Sequence, residues 1–178
     1  MALPVPELKK RYPLPAYNYR VTILLGSWQA IPAGTNLAEM AGAATVISCT
    51  EVSGLNMEVD TVTYRHGFSF LTGMSILPAL PKEVRLSIRK GVTKDGKYLS
   101  DWMKLIYPLQ LPQPAGLLRK RDLLIDLCDE QGFPVVRWTV AKALPVRLDA
   151  PSFKADSSEV AFEQLDLIAQ SLKVDYNL

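Results

Sequence analysis

The segment nearest to a catalytic signature is Gly91-Val-Thr-Lys-Asp-Gly96-Lys97-Tyr98. Its G-x-x-x-x-G-K spacing is that of a phosphate-cradling loop, but Tyr98 stands where a Ser or Thr hydroxyl would hold Mg²⁺. It also leaves an alternating, half-exposed strand pattern, whereas a phosphate loop follows a buried parallel strand. The segment reads as a turn entering a helix. The nucleophile and base types are Cys49, Cys128 and His66. No G-x-S-x-G elbow is present, the cysteines lack C-x-x-C spacing, and one His supports neither an imidazole relay nor a His-based zinc site. Both cysteines are expected to be buried thiols. Glu58 and Asp60 share one face of a strand, which suits solvation or an ion pair across subunits better than a raised-pKa acid. Asp129 and Glu130 sit in a turn, where Asp is expected anyway. Arg119-Lys120-Arg121 lacks interleaved aromatics and reads first as a solvated face and second as a contact for an acidic partner. Trp28, Trp102 and Trp138 read as core or interface anchors rather than a sugar platform. No catalysis, cofactor or metal is predicted.

The elements that would position these residues are mostly strands. Residues 1–15 carry Pro4, Pro6, Pro13 and Pro15 around Lys9-Lys10-Arg11, an extended arm rather than a helix or central strand. Residues 17–25 are aromatic and β-branched, a strand; residues 26–44 hold Gly26, Pro32, Gly34 and Gly42, a long loop. Residues 45–51 form a second strand and, after a kink at Ser53-Gly54, residues 56–65 a third. Neither face of that third strand is cleanly apolar, and a two-stranded ribbon with mixed faces is marginal in water, so it needs a partner surface. Residues 66–81 are broken by Gly67, Gly73, Pro78 and Pro81 and read as a loop around a short apolar piece. Residues 83–92 alternate, Val84, Leu86 and Ile88 inward against Arg85, Ser87 and Arg89 outward, a half-buried antiparallel strand. Leu99, Trp102, Met103 and Ile106 form the stripe of one short helix, with Asp95 or Ser100 as N-cap and Pro108 as stop. Residues 122–128 and 133–140 around a 129–132 turn make a hairpin, and residues 159–172 fit either a strand or a helical face.

The 178-residue chain suits a single domain with an arm, residues 1–15 and 16–178. Its strand-rich pattern with regular turn signals predicts a β-sandwich or barrel. Twenty basic against eighteen acidic residues leave +2, too little for a protein that coats nucleic acid. No run approaches 20 uninterrupted apolar residues, so no membrane insertion is expected. Prolines near the N-terminus occupy what a signal peptide needs as an apolar core, so folding in the cytoplasm is expected.

Several segments, in order across residues 12–172, resemble the tail tube proteins of contractile phages and of extracellular contractile injection systems. They are residues 17–23; Glu51-Val-Ser-Gly-Leu55 followed by Glu58-Val59 and Tyr64-Arg65; residues 86–92 leading into Leu99-x-x-Trp102; residues 122–134 with Trp138; and Ser152-Phe153 with Glu159-Val-Ala-Phe-Glu-Gln-Leu165. The resemblance implies two orthogonally packed β-sheets with a flanking helix. Six subunits would close a ring as one continuous barrel, and rings would stack into a hollow tube carrying protein or DNA. It implies partners in a paralogous tube protein, sheath, and baseplate or spike proteins, and a final place in a virion tail or released injection particle. The hairpin matching residues 52–65 would reach the adjacent ring, which makes Val52, Gly54, Leu55, Met57, Glu58, Val59, Asp60, Val62, Tyr64 and Arg65 candidate inter-subunit contacts. Arg85, Ser87 and Arg89 are candidates for the lumen or a neighbour's carboxylates. Two departures, the long 26–44 loop and Ala169-Gln170-Ser171 where the family has His-Glu-Gly, suit a specialised ring near the baseplate. The alternative reading is a monomeric small-ligand-binding β-barrel with Trp28 on a lid; a Cys49 or Cys128 hydrolase is a third.

Overall fold

The computed structural model describes residues 13–24, 44–65, 67, 73–94, 96–107, 120–156 and 158–176. The 1–12 arm, Trp28 with most of the 26–44 loop, His66, Asp95, Pro108 and Arg119 lie outside the described residues.

The described residues form ten strands and one helix, in chain order β1 (Tyr19–Leu24), β2 (Ala44–Ile47), β3 (Glu51–Ser53), β4 (Val59–Tyr64), β5 (Ser75–Pro81), β6 (Val84–Gly91), α1 (Tyr98–Lys104), β7 (Arg121–Cys128), β8 (Pro134–Asp149), β9 (Phe162–Ala169) and β10 (Ser171–Tyr176). All ladders are antiparallel. Strand β8 is sixteen residues long and serves two sheets. Its first half lies between β7 and β10, with β1 and β2 beyond β7. Its second half pairs with β9, followed by β6 and β3. The changeover falls at Lys142, whose φ of 54° is left-handed. The Lys142 N–H donates to Asp122 Oδ1 at 2.7 Å, which holds that corner.

The core lies between these two sheets. Val21, Ile23, Leu123, Ile125 and Val140 come from one, and Val84, Leu86, Ile88, Leu165 and Leu167 from the other. Helix α1 contributes Leu99 and Trp102, both fully buried. The alternation in residues 84–89 is realised as read: Val84, Leu86 and Ile88 are buried, while Arg85 and Arg89 are exposed. At the β7–β8 turn Asp129 Oδ1 accepts the N–H groups of Gln131 and Phe133, each at 2.9 Å, and Gly132 takes φ +84°.

The structure corrects several sequence expectations. Residues 75–81, read as a loop because of Pro78 and Pro81, form strand β5 beside β4. Residues 45–51 divide between β2, which pairs with β1, and β3, which pairs with β6. The segment 159–172, for which strand and helix are both open in the sequence, is strand from Phe162 onward on both sides of a corner at Gln170. Ser100 is not the helix N-cap; it lies inside α1 with its hydroxyl donating to the Lys97 carbonyl, and Lys97 holds the cap position without a side-chain hydrogen bond. Arg121 is not solvated: it is buried, its guanidinium 4.9 Å from the Tyr98 ring centre and 5.0 Å from that of Trp102. Among the described residues no helix is long and apolar enough to cross a membrane.

Candidate functional site

Two surfaces collect the residues singled out above. The first is a ribbon that leaves the body of the protein at β3. That strand is held to β6 by the pairs Glu51↔Arg89, Val52↔Ile88 and Ser53↔Ser87. Val52 and Leu55 are half-buried against the core and act as its anchors. Between them, Gly54 adopts φ +84° directly over β6, where a Cβ would overlap the Arg85 carbonyl oxygen and lie 3.0 Å from Leu86 Cα. Glycine is required twice over, for the left-handed backbone and for the close approach. Beyond this crossing Met57, Glu58, every residue of β4, and Arg65 are exposed. Among the described residues the ribbon is β4 and β5, a separate two-stranded sheet.

Its surface is unusually apolar for an exposed element. Met57, Val59, Val62 and Tyr64 on one strand and Met74, Ile76, Leu77 and Leu80 on the other side are all at least half exposed. Such a patch on an isolated chain marks an interaction surface. At its base Lys82 Nζ lies 3.5 Å from Glu58 and 3.3 Å from Asp60, and these carboxylates raise the Lys82 pKa, Asp60 foremost. The two acids therefore act as an ion-pair clamp at the foot of the ribbon.

The second surface is the outward face of the β8–β9–β6–β3 sheet. Arg85, Ser87 and Arg89 lie on it, and each arginine has a carboxylate of its own chain. Arg85 Nε is 2.9 Å from Glu83, and Arg89 is 3.9 Å from Glu51 while stacking 4.5 Å over the Phe162 ring. Arg147 Nε is 2.8 Å from Asp149, and that hydrogen bond is the main cause of the raised Arg147 pKa. Gln164 reaches Asp166 at 3.1 Å. The face is charged but internally balanced, so no single sign of charge projects from it.

Sequence reasoning missed a buried charge ladder on the other sheet. Arg20, Asp126 and Arg137 are cross-strand neighbours on β1, β7 and β8. The Asp126 side chain is fully buried, receives Arg137 Nε at 2.6 Å and Nη2 at 3.0 Å, and lies 3.3 Å from Arg20. The hydrogen bond that Arg137 donates to Asp126 is the largest contribution to the raised Arg137 pKa. The signal available was a lone Asp inside the apolar run 123–127, since a buried acid needs a paired base.

The residues once considered for nucleophilic chemistry point elsewhere. Burial pushes the Cys49 thiol up to about 12, and Cys128 is raised by burial as well. Both are protonated at neutral pH, and it is the thiolate that attacks. Among the described residues no three His, Cys, Asp or Glu side chains are grouped to hold a metal ion.

Comparison with known proteins places this geometry in a family. The family model described as T4-like virus tail tube protein gp19 matches residues 15–173. The chain belongs to the tail tube protein family. Among solved structures, this tube protein is similar to a chain of the sheath–tube complex of an extracellular contractile injection system, PVC, in its extended state. That match has 25% identity and a TM-score of 0.73, covering 98% of this chain and 99% of the other. A chain of the anti-feeding prophage cap, AFP, which terminates its tube, matches with 27% identity and a TM-score of 0.70, covering 93% of each. Hcp1 from Flavobacterium johnsoniae shares the fold at 12% identity and a TM-score of 0.50, over 89% of this chain and 95% of that one. No match is found among curated protein sequences.

Proposed function

We propose that six copies of this tube protein close a ring and that rings stack coaxially into a hollow inner tube. A surrounding sheath drives the tube through a target envelope to deliver protein or DNA. The chain assembles in the cytoplasm and then forms part of a phage tail or released injection particle. Its partners are further copies of itself, a paralogous tube protein, the sheath, and a baseplate or spike protein. The 26–44 loop and Ala169-Gln170-Ser171 support a place in a specialised ring near the baseplate.

One observation carries this reading: among the described residues the apolar β4–β5 ribbon pairs with no other strand, although the two larger sheets enclose a filled core. A monomeric ligand-binding barrel needs an empty interior. Here the space between the sheets is occupied by Ile88, Leu99, Trp102, Leu123 and Leu165, each with no exposed surface. The residue 1–15 arm, rich in proline, serves as a second assembly element. The balanced face bearing Arg85, Ser87 and Arg89 suits a wetted lumen wall, because its charges need no partner from a neighbour and hold no passenger of either sign. Catalysis plays no part.

The test is the solution mass of the purified protein by sedimentation and light scattering. A species of six chains, growing to multiples of six with concentration, is expected. A strictly monomeric protein across that range, also when mixed with its cognate baseplate, would overturn the proposal.

A further inference from the structure

The two long edges of the β4–β5 ribbon are chemically different. Lys82 N–H donates to the Glu58 carbonyl at 2.9 Å, which fixes 58 and 82 as an inward-bonding pair. In an antiparallel ladder the next pair then turns its backbone groups outward. That pair is Val59↔Pro81. The register shifts by one residue between Val59 and Thr61, so Ala79 and Leu80 stand together opposite Asp60, a bulge on β5. Beyond it the outward pairs are Thr61↔Pro78 and Thr63↔Ile76.

The outward nitrogens of β5 therefore belong to Pro81, Pro78 and Ile76, and only the last carries a hydrogen. Two prolines and a bulge are the devices that keep a sheet edge from accepting another strand. On β4 the outward positions are Val59, Thr61 and Thr63, all with N–H groups, all strand-favouring, and without a backbone partner among the described residues. One edge is sealed and the other is open.

We propose that β4 is the single edge through which the ribbon adds a strand of a second copy of this chain, so that each subunit accepts its neighbour from one side only. This rests on the tube reading above. The occupant is a second copy because the chain itself offers a matching strand: β10 is six residues long like β4, and among the described residues is paired on one side only, to β8. Pairing through one edge gives the contact a direction, and a directional head-to-tail contact closes into a ring or propagates along an open stack according to the rotation it imposes. The apolar faces of the ribbon add burial to this contact, while the backbone ladder sets its register.

The experiment compares Thr61→Pro and Thr63→Pro with Ile76→Pro as control. Each removes one outward N–H and no inward hydrogen bond of the ribbon. Folding is checked by circular dichroism and thermal unfolding, ring formation by light scattering, and tube formation by pelleting and electron microscopy. The expected result is that both β4 variants fold but the pelleted tube fraction falls to background, while the β5 control assembles as wild type does. Wild-type tube yield in both β4 variants overturns the proposal. Equal loss in all three also overturns it, since that would report ribbon integrity rather than one edge. Wild-type protein that never self-associates would instead refute the tube reading on which the proposal stands.

Discussion

Gly54 fixes how the ribbon leaves the body, and its replacement gives a result that separates two physical costs. An Ala at Gly54 meets a left-handed backbone at φ +84° together with an overlap between its Cβ and the Arg85 carbonyl oxygen. The backbone cost is about 1–2 kcal/mol, and forcing β3 off β6 adds about 1–3 kcal/mol of the kind overpacking causes. Together about 2–5 kcal/mol is expected, which lowers the melting temperature of a domain this size by about 4–20 °C. Gly132 is an internal control, with the same φ of +84° and nothing within 4 Å of the added Cβ. Gly132→Ala pays the backbone cost alone, and Gly132→Asn pays still less because Asn tolerates that region. Gly54→Asn gains no such relief, since its Cβ meets the same carbonyl. The assay is urea and thermal unfolding of all four variants at concentrations below assembly. If Gly54→Ala is no more destabilising than Gly132→Ala, or Gly54→Asn is tolerated, the close approach of β3 to β6 does not govern this site.

Lys142 and Cys49 give two further tests. Lys142 sits at φ 54° where β8 changes sheets, so Lys142→Val is expected to cost about 1–2 kcal/mol more than Lys142→Gly in chemical denaturation; equal stabilities would refute the strain. Cys49 has a native pKa raised to about 12 from its ordinary 9.0, mainly by burial. A group raised in the native state contributes stability below its unfolded value and loses it as pH climbs toward the native one. Stability is therefore expected to fall between pH 9 and 12, and Cys49→Ser to flatten that decline; an unchanged profile in the variant would refute the assignment. The same burial predicts slow alkylation of Cys49 at pH 8.

Much of this fold is legible in the residues because local period and burial agree. The alternation at 84–89 and the run at 122–128 are amphipathic or buried strands in sequence and in space. What was illegible depends on partners distant in the chain. Pro78 and Pro81 signal a break to any local reading, yet a proline whose nitrogen faces away from the neighbouring strand costs no ladder hydrogen bond. Arg121 looked solvated because its environment, Tyr98 and Trp102 one helical turn apart, comes from another element. Residues 159–172 were ambiguous because the corner at Gln170 changes which residues face the core; on β9 they are Leu165, Leu167 and Ala169. The candidate ribbon was legible as an unsatisfied strand, while its true partner β5 and its asymmetry of edges required the register.

The most direct test of the account is electron microscopy of the purified protein at high concentration, with and without a cognate baseplate to nucleate it. Six-fold rings stacked into tubes of uniform diameter, with ribbons at the contacts between rings, are predicted. Dispersed monomers under both conditions, or assemblies of another symmetry that leave the ribbon exposed, would contradict it.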